Sequence, residues 1–210
     1  ANIYGHAFPA NYTETIDSAE AVSDIKLMES VAAKDAVMLN LYRPAGAKRN
    51  TLRFKVLHPM TPLPLSDVLP MLEDMGLKVI DELPHEVHPA NAAMPCIMIH
   101  DFGLVTRDGE NVSLDNVRDN FHEVFRRTWE GEMESDGFNA LVLSAGLGWR
   151  EVTVLRTYAK YLRQTNAPFS QDYMERALSH NPQAAGAIAR LFSARFDPKA
   201  ENRNRQVSRL

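Results

Sequence analysis

The sequence predicts an α+β protein: a ferredoxin-like, four-stranded antiparallel sheet with two helices, followed by a segment made only of helices. Three observations lead there. From residue 51 the periodicities run strand, helix, strand, strand, helix, the ferredoxin-like order without its last strand. A further strand pattern at 36–42, joined to 51–58 by the turn-rich "RPAGAKRN", is placed to form a hairpin and fill that missing edge. Numbered along the chain, the strands should then lie in the order first, second, fourth, third. Beyond Gly131 the apolar runs repeat with a helical period only.

Residues 18–31 place Ala21, Val22, Ile25 and Met28 on one helical face, after a lead-in expected to be irregular. Val37, Leu39 and Leu41 alternate with polar or flexible neighbours, and Leu52, Phe54 and Val56 alternate with Arg53 and Lys55, the pattern of a half-buried strand. Leu65, Val68, Leu69 and Leu72 form a helical stripe, with Ser66 the expected cap and Gly76 the expected stop. Pro70 falls about one turn in, where a missing N–H costs less than mid-helix. Leu77–Ile80 and the run from Cys96 to Leu104 read as strands. Ser113 should cap a long helix carrying Leu114, Val117, Phe121, Val124, Phe125 and Trp129 on one stripe. Helices follow at 138–145, 149–164, 171–180 with Ser170 as cap, and 183–196 with Pro182 in first position. The domains expected are a lead-in at 1–34, an α+β domain at 35–135 and a helical region at 136–210.

Bulk composition excludes several classes. A net charge of −4 gives no general attraction to phosphate backbones or anionic lipid, so neither nucleic acid nor membrane is an expected partner. No apolar run approaches the ~18 residues of a spanning helix, and no signal-peptide pattern opens the chain. The lone Cys96 has no internal disulfide partner and reads as a reduced core thiol, which fits a cytoplasmic setting. The chain starts at Ala1 and stops inside "NRNRQVSRL", so a piece of something longer is expected.

Motifs that suggest chemistry do not hold together. Asp101-Phe102-Gly103 matches the kinase metal-binding tripeptide, but the phosphate loop, strand lysine and catalytic loop are missing. Gly146-Leu147-Gly148 follows a helical stripe and lacks a third glycine, so a helix corner explains it better than a dinucleotide fingerprint. His85, His88 and His100 would converge if their strands pair, yet no fourth ligand is in sight; surface histidines and no metal site are expected. Asp81 and Glu82 should point to opposite faces of their strand. Glu130, Glu132, Glu134 and Asp136 read as solvated charge at a helix end. Arg190, Arg195, Lys199, Arg203, Arg205 and Arg209 lack interleaved aromatics and read as a contact surface. Trp149 should pack between two helices. The residues give no catalytic, cofactor-binding or metal site.

Five stretches in order, "PLSDVLPMLEDMGLKVIDELPHEV", "IHDFGL", "DGFNALVLSAGLGWREVTVLRTYAKYLRQT", "FSQDYMERAL" and "LFSARFDP", resemble the middle of the very large bacterial NAD-specific glutamate dehydrogenases. The resemblance implies an ACT-like domain followed by the helical region that leads to a catalytic core lying outside this chain. It further implies a parent enzyme that oxidises L-glutamate to 2-oxoglutarate and ammonia with NAD, as a cytoplasmic homo-oligomer. The partners it implies are the core and other domains of the same polypeptide, with an amino-acid effector for the ACT-like domain. Against an effector, the turn "HPMTPLPLS" holds three prolines and none of the glycine that lets backbone approach a ligand. A regulatory or scaffolding segment that binds no NAD itself is the expectation. The alternative is a stand-alone ACT-like module for amino-acid sensing or protein interaction.

Overall fold

A computed structural model describes residues 3–34, 37–60, 63–91 and 94–198. The elements in order are α1 (Ala10–Thr15), α2 (Ser18–Lys34), β1 (Met38–Tyr42), β2 (Thr51–Pro59), α3 (Leu65–Asp74), β3 (Leu77–Val87), β4 (Ile97–Thr106), α4 (Leu114–Trp129), α5 (Leu141–Ser144), α6 (Trp149–Gln164), α7 (Gln171–Ser179) and α8 (Pro182–Phe196). A 3-10 turn at Gly137–Ala140 leads into α5. The chain divides into two compact units, residues 1–69 with 79–105, and residues 70–78 with 106–210.

In the first unit the sheet order is β1-β2-β4-β3, the order the hairpin reading requires. Met38 pairs with Leu57 and Tyr42 with Arg53, antiparallel, so β1 does fill the edge beside β2. Residue 36 of the expected strand lies outside the described residues. β2 corrects the half-buried expectation: Leu52, Phe54 and Val56 are buried on one face, and Lys55 and Leu57 are buried on the other. The second face is closed by α1 and α2. Ala7, Tyr12, Met28 and Val31 join Leu57, Val87, Ile97 and Ile99 in one apolar cluster, each large side chain contributing about 1.5–3 kcal/mol by leaving water. The lead-in, expected to be irregular, thus contains one short helix, α1, which places Tyr12 in this cluster, while residues 3–9 before it are turns and bends. α2 begins where expected, with the Asp17 carboxylate accepting from Ala19 N and Glu20 N, both at 2.9 Å.

Ser66 does not cap α3. The Pro64 carbonyl takes the first amide bonds, from Asp67 and Val68, so the helix starts at Leu65 and Ser66 lies inside it, bonded to Asp67. Gly76 ends the turn at φ +82°, a conformation that costs any residue with a Cβ. Thr61 and Pro62 of the proline-rich turn lie outside the described residues.

In the second unit Ser113 occupies the cap position of α4 without a side-chain bond; its carbonyl accepts from Asn116 N instead. Ser170 does cap α7, its hydroxyl accepting from Tyr173 N at 3.1 Å. Val117, Phe121, Val124 and Phe125 of α4 are buried, as are Phe138, Leu141, Val142, Val152 and Leu155. α8 contributes Ala185, Gly186 and Ala189 to its buried side, small residues that let helices approach closely. Among the described residues no helix is long and apolar enough to cross a membrane.

Candidate functional site

The segment Asp136-Gly137-Phe138-Asn139 is explained residue by residue within the second unit. Arg156, on the buried stripe of α6, is 3% exposed. Its Nε donates to Asp136 Oδ2 at 2.7 Å and its Nη2 to Asp136 Oδ1 at 2.8 Å, the two-pronged geometry a planar guanidinium favours. Nη2 also donates to Asn139 Oδ1 at 2.6 Å, and Asn139 Nδ2 donates to the Glu134 carbonyl at 3.0 Å. Asp136 Oδ1 accepts from Phe138 N at 3.1 Å, starting the 3-10 turn. A Cβ on Gly137 would meet Glu175 Oε2 at 2.6 Å, and Phe138 is core. The reading of Asp136 as solvated charge is therefore corrected: a buried arginine on α6, 20 residues further along the chain, recruits it. The neighbouring acids do pair at the surface, Glu134 with Lys160, Glu130 with Arg126 and Glu132 with Arg127.

Gly146 has φ +66°, and its carbonyl accepts from Asn120 Nδ2 at 3.0 Å. The Gly148 amide donates to Glu151 Oε2 at 2.9 Å, so the amide a phosphate would seek is taken by a carboxylate that would repel it. The corner joins helix to helix, α5 to α6. Trp149 is not sandwiched between two helices as expected. It is half-buried, with the Arg127 guanidinium 3.9 Å above its ring, because its position opens α6 ahead of the buried stripe Val152, Leu155 and Ala159.

A polar cleft of about 400 Å³ in the same unit is walled by Asp74, Arg107, Asp172, Glu175 and Arg176. Its charges are already engaged: Arg176 pairs with Asp172, Arg107 donates to the Glu73 carbonyl, and Ser135 donates to Asp74. Burial pushes the Asp74 and Glu175 carboxyls above their ordinary range.

The first unit holds a second buried network that sequence reading missed. Lys55 Nζ, facing α2, donates to Asp24 Oδ2 at 2.7 Å and to Glu20. Tyr12 donates to the same Asp24 oxygen at 2.7 Å. On β4, Asp101 accepts from Arg53 Nε at 2.9 Å and from Tyr42 at 3.0 Å. Burial raises the carboxyls of Asp24 and Asp101 despite these cations. The Asp101-Phe102-Gly103 tripeptide is thus built into the sheet: Asp101 is an ion-pair partner, Phe102 is core, and a Cβ on Gly103 would meet Asp81 oxygens at 2.6 Å. The signal available in the sequence was Glu20 and Asp24, one turn apart, with Arg53 and Lys55 in one strand.

The histidines part company. His100 is buried and bonds Glu82 at 2.8 Å, while Leu63 N donates to its other nitrogen at 3.2 Å. Asp81 faces Arg53 at 3.3 Å, so Asp81 and Glu82 do point to opposite faces. His85 is buried edge-on to Tyr12 at 5.1 Å; among the described residues its ring nitrogens have no hydrogen-bond partner. Burial, aided by Lys55 and Arg53, lowers its pKa. The expectation of surface histidines fails for both: α1 and α2 cover the face that holds His85 against Tyr12, while His100, paired with Val56, lies on the opposite face, where Glu82 and Leu63 N engage it. His88 alone is well exposed, 3.2 Å from Glu86. Cys96 is only partly buried, since it precedes β4 rather than sitting in it, and donates to Glu86 at 3.6 Å.

Three glutamate dehydrogenase families match in succession: helical motif 2 over residues 1–31, the ACT3 domain over 36–117 and helical motif 3 over 133–198. NAD-specific glutamate dehydrogenases align across nearly the whole chain. That of Halomonas elongata is 40% identical over 192 residues, covering 91% of this chain and 12% of the relative. The chain belongs to the NAD-specific glutamate dehydrogenase family. The Pseudomonas aeruginosa member is 36% identical over 189 residues, covering 90% of this chain and 12% of the relative. The Mycobacterium tuberculosis member is 32% identical over 217 residues, covering 98% and 13%. The chain thus spans about an eighth of the length of these glutamate dehydrogenases. The four-stranded sheet is the ACT-like part of the family pattern, and the Arg156 network lies inside helical motif 3.

Proposed function

We propose that this chain is a non-catalytic regulatory and scaffolding segment of an NAD-specific glutamate dehydrogenase. The observation that carries it is the succession of matches, which fills most of the chain with a helical motif, an ACT domain and a second helical motif. In this reading residues 1–34 are a lead-in, 35–135 the ACT-like domain and 136–210 a helical arm. The parent enzyme is cytoplasmic and homo-oligomeric. It converts L-glutamate, NAD and water to 2-oxoglutarate, ammonia and NADH on a core elsewhere in the polypeptide. The buried Arg156 network supports a structural role for the arm. Its polar groups hold one another in a fixed geometry, as a rigid mount requires. Tyr158, Phe192 and Phe196 run in contact along α6 and α8 with Tyr158 and Phe196 exposed, which suits a face that receives another domain.

Isothermal calorimetry of NAD with the isolated chain tests the reading: no heat of binding is expected, and a saturable isotherm overturns it. The second reading, an ACT-like module acting alone, is favoured by one observation, that β1 completes the sheet from within this chain. Saturable binding of an L-amino acid by the isolated chain would support that alternative.

A further inference from the structure

At the outer end of β3 the structure collects three different donors. Glu86 lies within the strand, His88 one residue beyond it, and Cys96 directly before β4. Their ligand atoms all lie within 4.8 Å of one another. We propose that Glu86, His88 and Cys96 form a binding site for a divalent cation of the zinc class, with solvent completing the coordination.

The spacing is the first support. With Zn–S near 2.3 Å, Zn–N near 2.05 Å and Zn–O near 2.1 Å, a tetrahedral centre puts sulfur and oxygen about 3.6 Å apart and nitrogen and oxygen about 3.4 Å apart. Here Cys96 Sγ lies 3.6 Å from Glu86 Oε1, and His88 Nε2 lies 3.2 Å from the same oxygen. Two edges of the tetrahedron are therefore already at coordination length.

The backbone is the second support. His88 N donates to the Ala7 carbonyl at 3.0 Å, and the Cys96 carbonyl accepts from Met60 N at 2.9 Å. Glu86 is held by the strand itself. All three donors thus project from backbone that is already held, so only their side chains remain to be ordered on binding. Donor chemistry narrows the cation. One thiolate, one imidazole and one carboxylate suit zinc and its neighbours and do not suit magnesium or calcium, which take oxygen. Cys96 binds as thiolate, its proton passing to solvent as the metal–sulfur bond forms. His88 and Glu86 are 65% and 59% exposed, so the metal can enter without unfolding. A bound ion ties the end of β3 to the start of β4 and acts as a clip on the sheet rather than as a catalyst.

The test is titration of the metal-free, reduced 210-residue chain with Zn²⁺ and, separately, Co²⁺. The expected result is one ion per chain at micromolar or tighter Kd, with a thiolate-to-cobalt absorption band and a raised unfolding temperature. C96S, H88A and E86Q should each weaken binding at least tenfold, and C96S should abolish the thiolate band, while H180A leaves binding unchanged. Circular dichroism checks that each variant is folded, and any one folded variant suffices. No saturable binding, a cobalt spectrum without the thiolate band, or undiminished affinity in a folded C96S or H88A overturns the proposal.

Discussion

Replacing Arg156 by methionine keeps an unbranched apolar stem and most of the side-chain volume while deleting the guanidinium. The loss can be worked from the structure. Asp136 is held at 2.7 and 2.8 Å and Asn139 at 2.6 Å by this one group. The Arg156 and Asp136 side chains are only 4% and 12% exposed, so solvent replaces little of what is lost. Charge-assisted bonds contribute about 1.5–3 kcal/mol each, but they share one guanidinium and cannot be summed. Removing one member of a buried pair costs about 3–5 kcal/mol, because the remaining charge is stranded. We expect R156M to lose about 4 kcal/mol. With a urea slope of about 2 kcal/mol/M, the midpoint of the helical signal in circular dichroism should fall by about 2 M. R156K and D136N, which each keep part of the network, should fall by roughly half as much. A midpoint for R156M within ~0.3 M of the parent would refute the view that this network holds the arm together.

Trp149 is half-buried under Arg127, so W149A should cost about 1–2 kcal/mol from partial apolar burial and a cation–π contact; urea melts showing 3 kcal/mol or more would mean the ring is core after all. G76A should cost about 1–3 kcal/mol, since Gly76 has φ +82° and its added Cβ would stand 3.2 Å from Ala140 Cβ; an unchanged thermal midpoint would contradict this. Burial, with Arg118 nearby, lowers the pKa of His122 to about 4. The unfolded chain takes up this proton near 6.5, so stability is complete above that pH and falls as pH drops towards 4. The loss is up to ~2 kcal/mol at pH 5. H122Q should remove that part of the slope, and parallel pH 5 and pH 7 melts that leave it intact would reject the assignment.

Much of the fold was legible in the sequence because its signals are local. The stripe from Leu114 to Phe125 and the Ser170 cap each reflect a single element meeting water on one side, and the alternation at Leu52, Phe54 and Val56 marked a strand even though β2 is buried on both faces. The hairpin supplied even the strand order. What stayed hidden depends on a second layer. Nothing local says that Lys55 is buried, since its partners Glu20 and Asp24 belong to a helix 31 or more residues away. His85 reads as a surface residue for the same reason, since Tyr12 of α1 covers it, and His100 does because Glu82 on β3 and Leu63 reach it from other segments. Asp136 reads as one of four acids near a helix end until Arg156 is placed beside it, and Cys96 meets Glu86 only when β3 and β4 lie side by side.

As proposed above, this chain serves glutamate oxidation without performing it. The direct measurement is steady-state NADH formation from L-glutamate and NAD, run in one assay on the isolated chain and on a full-length polypeptide that contains it. Turnover is expected from the full-length polypeptide and none above background from the chain at any concentration. Turnover by the chain alone, saturable in glutamate and NAD, would contradict it.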